Sequence, residues 1–438
     1  MQSPLNNFTS FWKIPPAGKD GTPYYLEHPG RGTKPQLVRF GPSTHLYVTL
    51  PEGDDVNPAP TGTIPFNPDE AVENLLFERY RTVKESKNLC LALYYRAKPH
   101  LPRRAQLAFR RLYSYRQRRK RFPTWPFDPS LYELYRFLLS CEMKIREEHE
   151  LPYIGFWPEG KRFCFVMTHD VETAEGFRNI DRLAAIERER DIRSSWNIVP
   201  RQYPYTEEKL EELAADGFEI GVHGLYHDGR LFSSRQTFDD RLPELNEAFR
   251  KMNSIGFRSP ATHRNAEWMS GLECRYDSSF PDTDPFEPQA GGSLSLFPFF
   301  LNGLLELPYT LPQDHTLFEI LGESSIDIWT RKIDWIARCG GMALAIIHPD
   351  YMTSEKRLDC VRRLLDHILE RADVWVATPR DVCRWWHARN NARWDESGAI
   401  RPYEAHDIPW AIPRARAVLE QQRLTVEAPG GPLEAAFE

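Results

Sequence analysis

The chain lacks the features that would indicate a disulfide framework, a membrane span or a secretory leader. Its seven cysteines among 438 residues are scattered, odd in number and free of any C-x-x-C pair, so neither a zinc ribbon nor a disulfide scaffold is predicted. No apolar run reaches the length of a membrane span. The first residues have no basic segment followed by an apolar one, as a secretory signal would. We therefore expect reduced thiols and a soluble, cytoplasmic protein without a membrane span.

The chain also lacks a strong excess of charge. Its 56 Lys and Arg against 62 Asp and Glu leave a formal net charge of −6, which does not suggest nucleic-acid binding. One local exception is the basic stretch 96–121, which contains no acidic residue and ends in RRLYSYRQRRKR. The simplest interpretation is a solvated helix face, and an anionic partner such as an acidic glycan or a membrane surface is the alternative. No recognised nucleic-acid motif accompanies the stretch, so we expect no nucleic-acid partner.

Changes in sequence rhythm divide the chain into four segments. Residues 1–125 form an N-terminal accessory region, with short extended pieces at Gln36–Phe40 and His45–Leu50 and helical periodicity from about Pro68. Residues 126–160 hold a connecting helix. Residues 161–390 alternate short apolar runs with amphipathic segments, and residues 391–438 are a Pro- and Ala-rich tail with little periodicity.

The alternation in residues 161–390 is typical of β/α units. Seven apolar runs predict strands, at Arg162–Met167, Ser194–Val199, Phe218–Val222, Gly256–Arg258, Leu305–Pro308, Met342–Ile347 and Val374–Ala377. Six amphipathic segments predict helices, at Asp181–Arg190, Glu207–Asp216, Phe238–Met252, Ser325–Cys339, Glu355–Arg371 and Pro379–Asn390. The predicted fold is α/β, an irregular (β/α)7-type barrel resembling a distorted TIM barrel, with an N-terminal mixed extension. A doubly wound sheet is the alternative.

Titratable residues follow four of the predicted strands, at the ends where active sites of β/α barrels lie. In RFCFVMTHDVET, Asp170 and Glu172 would share one face of an extended chain, with Val171 turned to the other. Two adjacent carboxylates repel, so a metal ion or a proton usually neutralises one of them. A helix cap at Asp170 or Thr173 is the structural alternative.

In GFEIGVHGLYHDGRLF, His223 and His227 are four residues apart just past a predicted strand. One helical turn would bring both imidazoles within reach of one cation, and Asp228 could orient one of them. The spacing alone is only suggestive, because an isolated histidine is usually structural. Its position after a strand, together with the carboxylates of the first motif, favours metal binding.

Two further strand ends carry charge. Arg258 in GFRSPATHRN is followed by Pro260, and a guanidinium that never loses its charge can hold a carboxylate in place. His348 ends the most apolar predicted strand, in GMALAIIHPDY, and a histidine there can exchange protons near neutral pH. A surface arginine and a histidine at the rim of the core are the structural alternatives.

The order of these motifs resembles the polysaccharide deacetylase family, the NodB-homology or carbohydrate esterase family 4 group, over roughly Lys161 to Arg389. THDVE resembles the first family motif, usually TFDDG, and HGLYHD is similar to H-[ST]-x-x-H-D, the most specific match. RSPAT and IIHPD resemble the third and last motifs, and VWVATPRDVCRWW is similar to the last strand and helix of the family.

The resemblance implies a hydrolase of amide bonds other than peptide bonds, which removes acetyl groups from an N- or O-acetylated carbohydrate with the help of a divalent metal, zinc in the first place or another transition metal. It implies Asp170 as the catalytic base and His348 as the general acid. It also implies that Arg258 positions the base and that His223 and His227 are metal ligands. A backbone N–H near Pro260 would contribute to the oxyanion site.

The first motif departs from the family pattern. The usual second Asp is a metal ligand, and here Val171 stands in its place and cannot bind a metal. A D-x-[DE] arrangement, as in some family members, would make Glu172 the third ligand, and the shared face of Asp170 and Glu172 supports this independently. The fourth motif is poorly defined, and three carboxylates in YDSSFPDTDPFEPQ could tune His348 or contact substrate: Asp277, Asp282 and Asp284.

Three other functions are compatible with parts of the pattern. A metal-independent hydrolase of small cyclic amides could use the same scaffold. A non-catalytic carbohydrate-binding protein would not need Asp170 and His348. A non-haem iron oxygenase also uses two His and a carboxylate, but usually on a jelly roll. We expect an acetylated carbohydrate as substrate, such as a lipid-linked or nucleotide-linked sugar, and the sequence does not indicate an oligomeric state.

Overall fold

The computed structural model describes residues 11–16, 35–41, 43–49, 66–81, 103–119, 121–402 and 408–436. The α-helices are α1 Pro68–Leu76, α2 Arg103–Gln117, α3 Ser130–Ile145, α4 Ala174–Arg178, α5 Ile180–Arg188, α6 Glu207–Ala215, α7 Arg235–Lys251, α8 Asp327–Cys339, α9 Glu355–Leu369 and α10 Pro379–Asn391. The strands are β1 Gln36–Arg39, β2 His45–Val48, β3 Glu150–Ile154, β4 Phe163–Val171, β5 Ser195–Ile198, β6 Glu219–Val222, β7 Gly256–Phe257, β8 Tyr276–Asp277, β9 Phe299–Leu301, β10 Leu304–Glu306, β11 Met342–Ile347, β12 Val374–Ala377, β13 Arg393–Trp394, β14 Ile400–Arg401, β15 Arg414–Glu420, β16 Arg423–Ala428 and β17 Gly431–Leu433.

The centre of the fold is one curled sheet in the order β11-β4-β5-β6-β7-β8-β10-β9, with β12 paired against the first half of β4. All of these pairings are parallel except the β9–β10 hairpin. The curl closes between β10 and β11, because the N–H groups of Thr310 and Leu311 donate to the carbonyl of Leu344 at 3.3 and 3.0 Å. The predicted irregular β/α barrel is therefore confirmed.

The membership of the ring differs from the prediction at two strands. The two-residue strand β8 completes the ring, although Tyr276–Asp277 is too short to leave an apolar run in the sequence. Strand β12 was predicted correctly in position, but it pairs only with Phe163 to Val166 of β4 and lies outside the ring. All nine residues of β4 are buried, as expected for a parallel strand that is covered on both faces.

All six predicted helices of the barrel region are present, and side-chain caps set several of their starts. Helix α7 begins at Arg235 rather than Phe238, because the Ser234 side chain accepts a hydrogen bond from the Thr237 N–H. Helix α10 begins with a capping box, in which Thr378 and Asp381 each accept from the backbone N–H of the other. Such caps satisfy the N–H groups that the first helical turn leaves without a partner.

The C-terminal segment 391–438 is more ordered than the predicted tail. Strand β15 pairs antiparallel with β16 and with β3, a strand of the connecting segment, and β17 extends this second sheet. Residues of β15 alternate between exposed and buried, which is a strand period in RARAVLE that the Pro- and Ala-rich surroundings obscured. The end of the chain is held by Trp335, whose indole N–H donates to the carbonyl of Ala436 at 3.0 Å.

The N-terminal region contributes the predicted extended pieces, which form the antiparallel pair β1–β2, and helices α1 and α2, while α3 lies in the connecting segment 126–160. Glu78 binds the buried guanidinium of Arg264 through both oxygens and so ties this region to the barrel. Helix α2 lies against a π-helical turn at His315–Ile320. The division of the chain into four segments at residues 125, 160 and 390 stays a prediction.

Two general features of the described residues bear on the sequence analysis. None of the helices placed by the structure is both long enough and apolar enough to cross a bilayer. The six cysteines in this part of the chain are free, and Cys90 lies outside the described residues.

Candidate active site and metal centre

Polar side chains from neighbouring strands converge at the carboxyl ends of the barrel strands. Asp170 lies on β4 and Asn197 on β5, while His223, Arg258 and His348 directly follow β6, β7 and β11. All five are buried, with at most 4% of each residue exposed. Since parallel strands bring their carboxyl ends to one edge, residues far apart in sequence meet in one site, as in other β/α barrels.

Three of the predicted residues form a cluster with the donor atoms of a metal centre. One ligand atom from each of Glu172, His223 and His227 lies within 4.8 Å of the other two. The Nδ1 of His223 is 3.0 Å from the carbonyl of Arg258, so Nε2 faces the cluster, and it has no hydrogen-bond partner within the described chain. The Nε2 of His227 lies 2.9 Å from Oε1 of Glu172.

The ionisation of Glu172 and His223 suits a divalent cation. Burial lowers the pKa of His223 to about 4, which keeps its imidazole neutral. Burial alone would raise the pKa of Glu172, but the hydrogen bond from His227 and the charge of His348 hold it well below its usual value. A carboxylate and two imidazoles are a donor set that zinc uses in proteins. The residues present therefore fit a divalent metal ion.

The side chain of Glu172 is fixed from two directions. Its backbone N–H donates to Oδ2 of Asp350 at 3.0 Å, and the Tyr351 hydroxyl donates to its Oε2 at 3.3 Å. Val171 is fully buried in the hydrophobic core, while Glu172 is directed at the two histidines. The alternation predicted for this motif is therefore present, and the carboxylate next to the histidines belongs to Glu172.

His227 reaches the cluster by a route that differs from the prediction. The predicted helical turn between His223 and His227 is wrong, because the segment is an irregular loop in which Gly224 has a φ of +65°. A Cβ atom at Gly224 would lie 2.6 Å from Cδ of Pro260, so only glycine fits. The N–H of His227 donates to Oε1 of Gln202 at 3.3 Å.

Asp228 does not orient either histidine, which corrects the role suggested for it. Its carboxylate forms a two-pronged pair with Arg241, with distances of 2.9 and 2.7 Å, and accepts the Arg230 N–H at 2.9 Å. The carbonyl of Arg258 takes the orienting role for His223 instead. The reason is the loop conformation, which turns Asp228 toward helix α7 rather than back to the strands.

Asp170 lies beside His223 and is held by two neighbouring side chains. Its Oδ1 accepts a hydrogen bond from Nδ2 of Asn197 at 2.7 Å, and its Oδ2 lies 3.7 Å from Nη1 of Arg258 and 4.0 Å from Nε2 of His223. Burial alone would raise the pKa of Asp170, but the charge of Arg258, followed by those of His223 and His348, holds it below its usual value. The carboxylate is therefore ionised at neutral pH.

Arg258 is completely buried and fixed by hydroxyl groups. Its Nη2 donates to Oγ of Ser278 at 2.7 Å and to Oγ1 of Thr168 at 3.2 Å. In the loop after it, Ala261 and Thr262 have φ angles of +52° and +49°, which non-glycine residues rarely adopt. Strained backbone of this kind is concentrated at functional sites.

His348 has a partner that the sequence analysis missed. Its Nδ1 lies 2.6 Å from Oδ1 of Asp314, and its backbone N–H donates to Oδ2 of the same carboxylate at 2.9 Å. Burial alone would lower the pKa of His348, but Asp314, followed by Glu172 and Asp170, raises it to about 10. The Nε2 of His348 is 3.7 Å from Oε1 of Glu172, so the protonated ring faces the metal cluster.

The three carboxylates proposed to tune His348 have other partners. Asp277 accepts from the Ser279 hydroxyl at 2.7 Å, Asp282 pairs with Lys332 at 2.7 Å, and Asp284 accepts from Tyr309 at 3.1 Å. The sole signal for Asp314 in the sequence is its position in TLPQDH, a few residues after a predicted strand. His169, between Thr168 and Asp170, points away from the site and contacts Glu187 at 2.5 Å.

Helix α2 and two loops border the His348 side of the site. Arg111 and Gln117 of α2 donate to the carbonyls of Glu319 and Pro285. Burial, followed by the charges of Arg110 and His348, lowers the pKa of His315 to about 4. Part of the N-terminal region thus lies close enough to act electrostatically on the site.

No protein-family model and no curated protein matches the chain. Among solved structures, a Mycobacterium smegmatis protein assigned as a polysaccharide deacetylase is 20% identical, with a TM-score of 0.43, over 53% of this chain and 93% of that protein. An allantoinase is 17% identical, with a TM-score of 0.42, over 53% and 92%. A family 4 carbohydrate esterase from Streptomyces lividans is 12% identical, with a TM-score of 0.32, over 49% and 91%. These similarities are too weak to assign a function, which must come from the residues of the site.

Proposed function

We propose that this chain is a metal-dependent hydrolase that removes acetyl groups from an N- or O-acetylated carbohydrate. The observation that carries the proposal is the cluster of Glu172, His223 and His227, with Asp170 next to one ligand and His348 next to another. A purely structural cluster would not need an ionised carboxylate next to one of the candidate ligands and a protonated histidine next to another. The motif order over Lys161 to Arg389 supports a divergent member of the polysaccharide deacetylase family.

The divalent cation would be held by Glu172 Oε1 and by Nε2 of His223 and His227, and zinc is the ion that this donor set favours. When bound, it supplies Lewis acidity, which lowers the pKa of water and polarises the acetyl carbonyl. A set of three protein ligands leaves positions for water and substrate. Glu172, one residue after Val171, would thereby take the role of the aspartate that the usual motif has at the position of Val171.

Asp170 is suited to accept the proton of the attacking water. Its carboxylate is ionised and is held in place by Asn197 and Arg258. Arg258 also prevents Asp170 from binding a proton in advance, since its charge favours the carboxylate form. The water loses its proton to Oδ2 of Asp170 as its oxygen forms the new bond to the acetyl carbon.

His348 is suited to donate a proton to the leaving amine or alcohol. Asp314 keeps a proton on Nδ1, fixes the ring and favours its charged form, so the proton on Nε2 is available on the side of the metal cluster. The C–N or C–O bond breaks as this proton is transferred, and acetate leaves. Oppositely shifted pKa values of a paired base and acid are a common arrangement for such catalysis.

The test is acetate release by purified protein from a panel of acetylated sugars, including lipid-linked and nucleotide-linked ones, with metal content measured by mass spectrometry. We expect one equivalent of a divalent metal, loss of activity on chelation and recovery when zinc is restored. Activity that survives complete metal removal would favour the metal-independent cyclic-amide hydrolase. Metal-loaded protein that releases no acetate from any of these sugars would contradict the proposal.

A matched pair of variants adds a control. Glu172→Gln removes a ligand and should abolish both metal retention and activity. Glu175→Gln changes the same side chain three residues away, where it is 66% exposed and directed at Arg178, and should behave like the wild type. Equal effects of the two substitutions would show that the loss is not specific to the metal cluster.

A further inference from the structure

In residues 110–117 of helix α2, large apolar side chains face outward and a small polar side chain faces the barrel. The small polar residue Ser114 is buried, whereas Leu112 and Tyr115 are 70% and 68% exposed. These two are the most exposed large apolar side chains among the described residues. An amphipathic helix normally turns its apolar residues to the core, so this inversion indicates that the outer face meets something else.

The outward residues form one continuous face. Leu112, Tyr115 and Arg116 are spaced i, i+3 and i+4, which places them on one side of helix α2, and Arg119 lies at i+7 in the turn directly after the helix. All four are exposed, and neither arginine has an ion-pair partner among the residues that the structure describes. We call these four residues the α2 outer face. It combines two large apolar side chains with two free positive charges.

Other side chains of the helix and of the turn after it attach the helix to the barrel. Gln117 donates to the carbonyl of Pro285 at 2.5 Å, Arg111 donates to the carbonyl of Glu319 at 3.3 Å, and Arg118 pairs with Glu323 at 3.3 Å. The outer face is therefore presented in a defined orientation by contacts that do not involve it. The exposure of the outer face therefore does not result from a lack of tertiary contacts in the helix.

We propose that the α2 outer face docks on an anionic membrane surface. Arginines with tyrosine and leucine on one helix face suit the lipid headgroup region, where charge meets phosphate and apolar groups enter the acyl boundary. The surrounding stretch 96–121 has no acidic residue to oppose this, although the whole chain carries a net charge of −6. The positive charge needed for an anionic surface is thus concentrated at this helix.

The composition of the face favours a membrane over the other occupants. A stable protein dimer buries about 800 Å² and 20–30 residues on each side, whereas this face offers four outward side chains. Membrane adsorption needs no such area, because each basic residue near an anionic surface contributes about 1 kcal/mol, or about fivefold in binding. Nucleic acid would use the arginines but gives no reason for an exposed leucine.

Docking at this face would bring the site close to the bilayer. Helix α2 contacts the π-helical turn His315–Ile320, and Asp314, which holds His348, directly precedes that turn. An acetylated sugar attached to a lipid would then enter from the membrane side. The proposal goes beyond the proposed function, and its test measures binding without any enzymatic assay, so either can fail alone.

The experiment is co-sedimentation of the full chain with phosphatidylcholine vesicles that contain or lack phosphatidylglycerol, at low and high salt. We expect binding that requires phosphatidylglycerol and weakens with salt. The double variant Arg116→Glu/Arg119→Glu should bind at least about 30-fold more weakly, since about fivefold is lost for each arginine. Leu112→Ser/Tyr115→Ser should weaken binding less and should reduce the fraction that stays bound at high salt.

A matched control makes the same change of charge on a different helix. Lys356→Glu/Arg363→Glu reverses two exposed charges on helix α9, and it should leave vesicle binding unchanged. Thermal melting of every variant checks folding, and the apolar pair gives an independent result if the charge-reversal pair does not fold. Three results would overturn the proposal: no dependence on phosphatidylglycerol, equal loss in the α9 control, or a dimer or nucleic-acid complex of the wild type that the α2 variants abolish while vesicle binding persists.

Discussion

Substitution of Asp170 by Asn is the sharpest perturbation of the proposed chemistry. It keeps the size of the side chain and leaves an amide oxygen that Asn197, 2.7 Å away in the wild type, can still reach. It removes the negative charge and with it the capacity to accept a proton. Because Asp170 lies 4.0 Å from His223 Nε2 and is not one of the three clustered donors, metal binding should survive.

The expected magnitudes follow from the contacts of Asp170. A general base typically accelerates a reaction 10²–10⁴-fold, which corresponds to about 3–5 kcal/mol of activation free energy. The stability cost is smaller than that of breaking most buried ion pairs, because Arg258 is 3.7 Å away and keeps its hydrogen bonds to Ser278 and Thr168. We expect the free energy of unfolding to fall by about 1–3 kcal/mol.

The assay measures kcat/KM for acetate release, metal content and thermal melting on the same preparation. Asp228→Asn is the control, because that carboxylate pairs with Arg241 rather than with the site. Activity of Asp170→Asn within tenfold of the wild type would refute the role of base. If Asp170→Asn loses the metal together with the activity, Asp170 is itself a metal ligand, and the assignment of base and ligands to different residues is wrong.

Three further predictions concern other parts of the structure. Glu172→Gln should weaken zinc binding by at least about 100-fold, measured by competition with a chelator, and an unchanged affinity would exclude it as a ligand. Gly224→Ala should lower the free energy of unfolding by about 1–3 kcal/mol and impair metal binding, because its Cβ would lie 2.6 Å from Pro260; a wild-type melting temperature and metal content would contradict this. Burial raises the pKa of Glu219 to about 7, so the folded state binds an extra proton between about pH 4.5 and 7, and stability is lost as pH rises through this window. Urea unfolding should show a loss of about 3 kcal/mol from pH 4.5 to 8 that Glu219→Gln removes, and a pH-independent difference between the two proteins would contradict the assignment.

Local sequence patterns were sufficient to predict the parts of the site that depend on strand ends. Asp170, His223, Arg258 and His348 each follow or end an apolar run, and a parallel sheet brings such ends together whatever the loops do. The alternation of an extended chain likewise separates Glu172 from Val171. These predictions needed only the period of a strand and the direction of the sheet.

Contacts between distant loops could not be predicted in the same way. Asp228 follows a metal-ligand candidate in sequence, yet the left-handed turn at Gly224 directs the loop so that Asp228 meets Arg241 instead. The sequence does not show that Gly224 packs against Pro260, because Pro260 comes from the loop after a different strand. Strand β15 was missed because its Pro- and Ala-rich surroundings obscured its alternation, and because one of its two partners, β3, lies more than 250 residues earlier in the chain.

The contact between Asp314 and His348 depends on the closure of the barrel. The N–H groups of Thr310 and Leu311 donate to Leu344 in the middle of β11, and His348 directly follows the end of that strand. The same segment then continues to Asp314, whose two oxygens bind the ring and the backbone of His348. The proposed acid is therefore oriented only where the ring of strands closes, whereas Asp170 is held by Asn197 on the adjacent strand β5 and by Arg258 directly after β7. The segment from Thr310 to Asp314 has no apolar run of its own, so the sequence alone does not predict that Asp314 is the partner of His348. This pairing can be recognised only in the closed barrel.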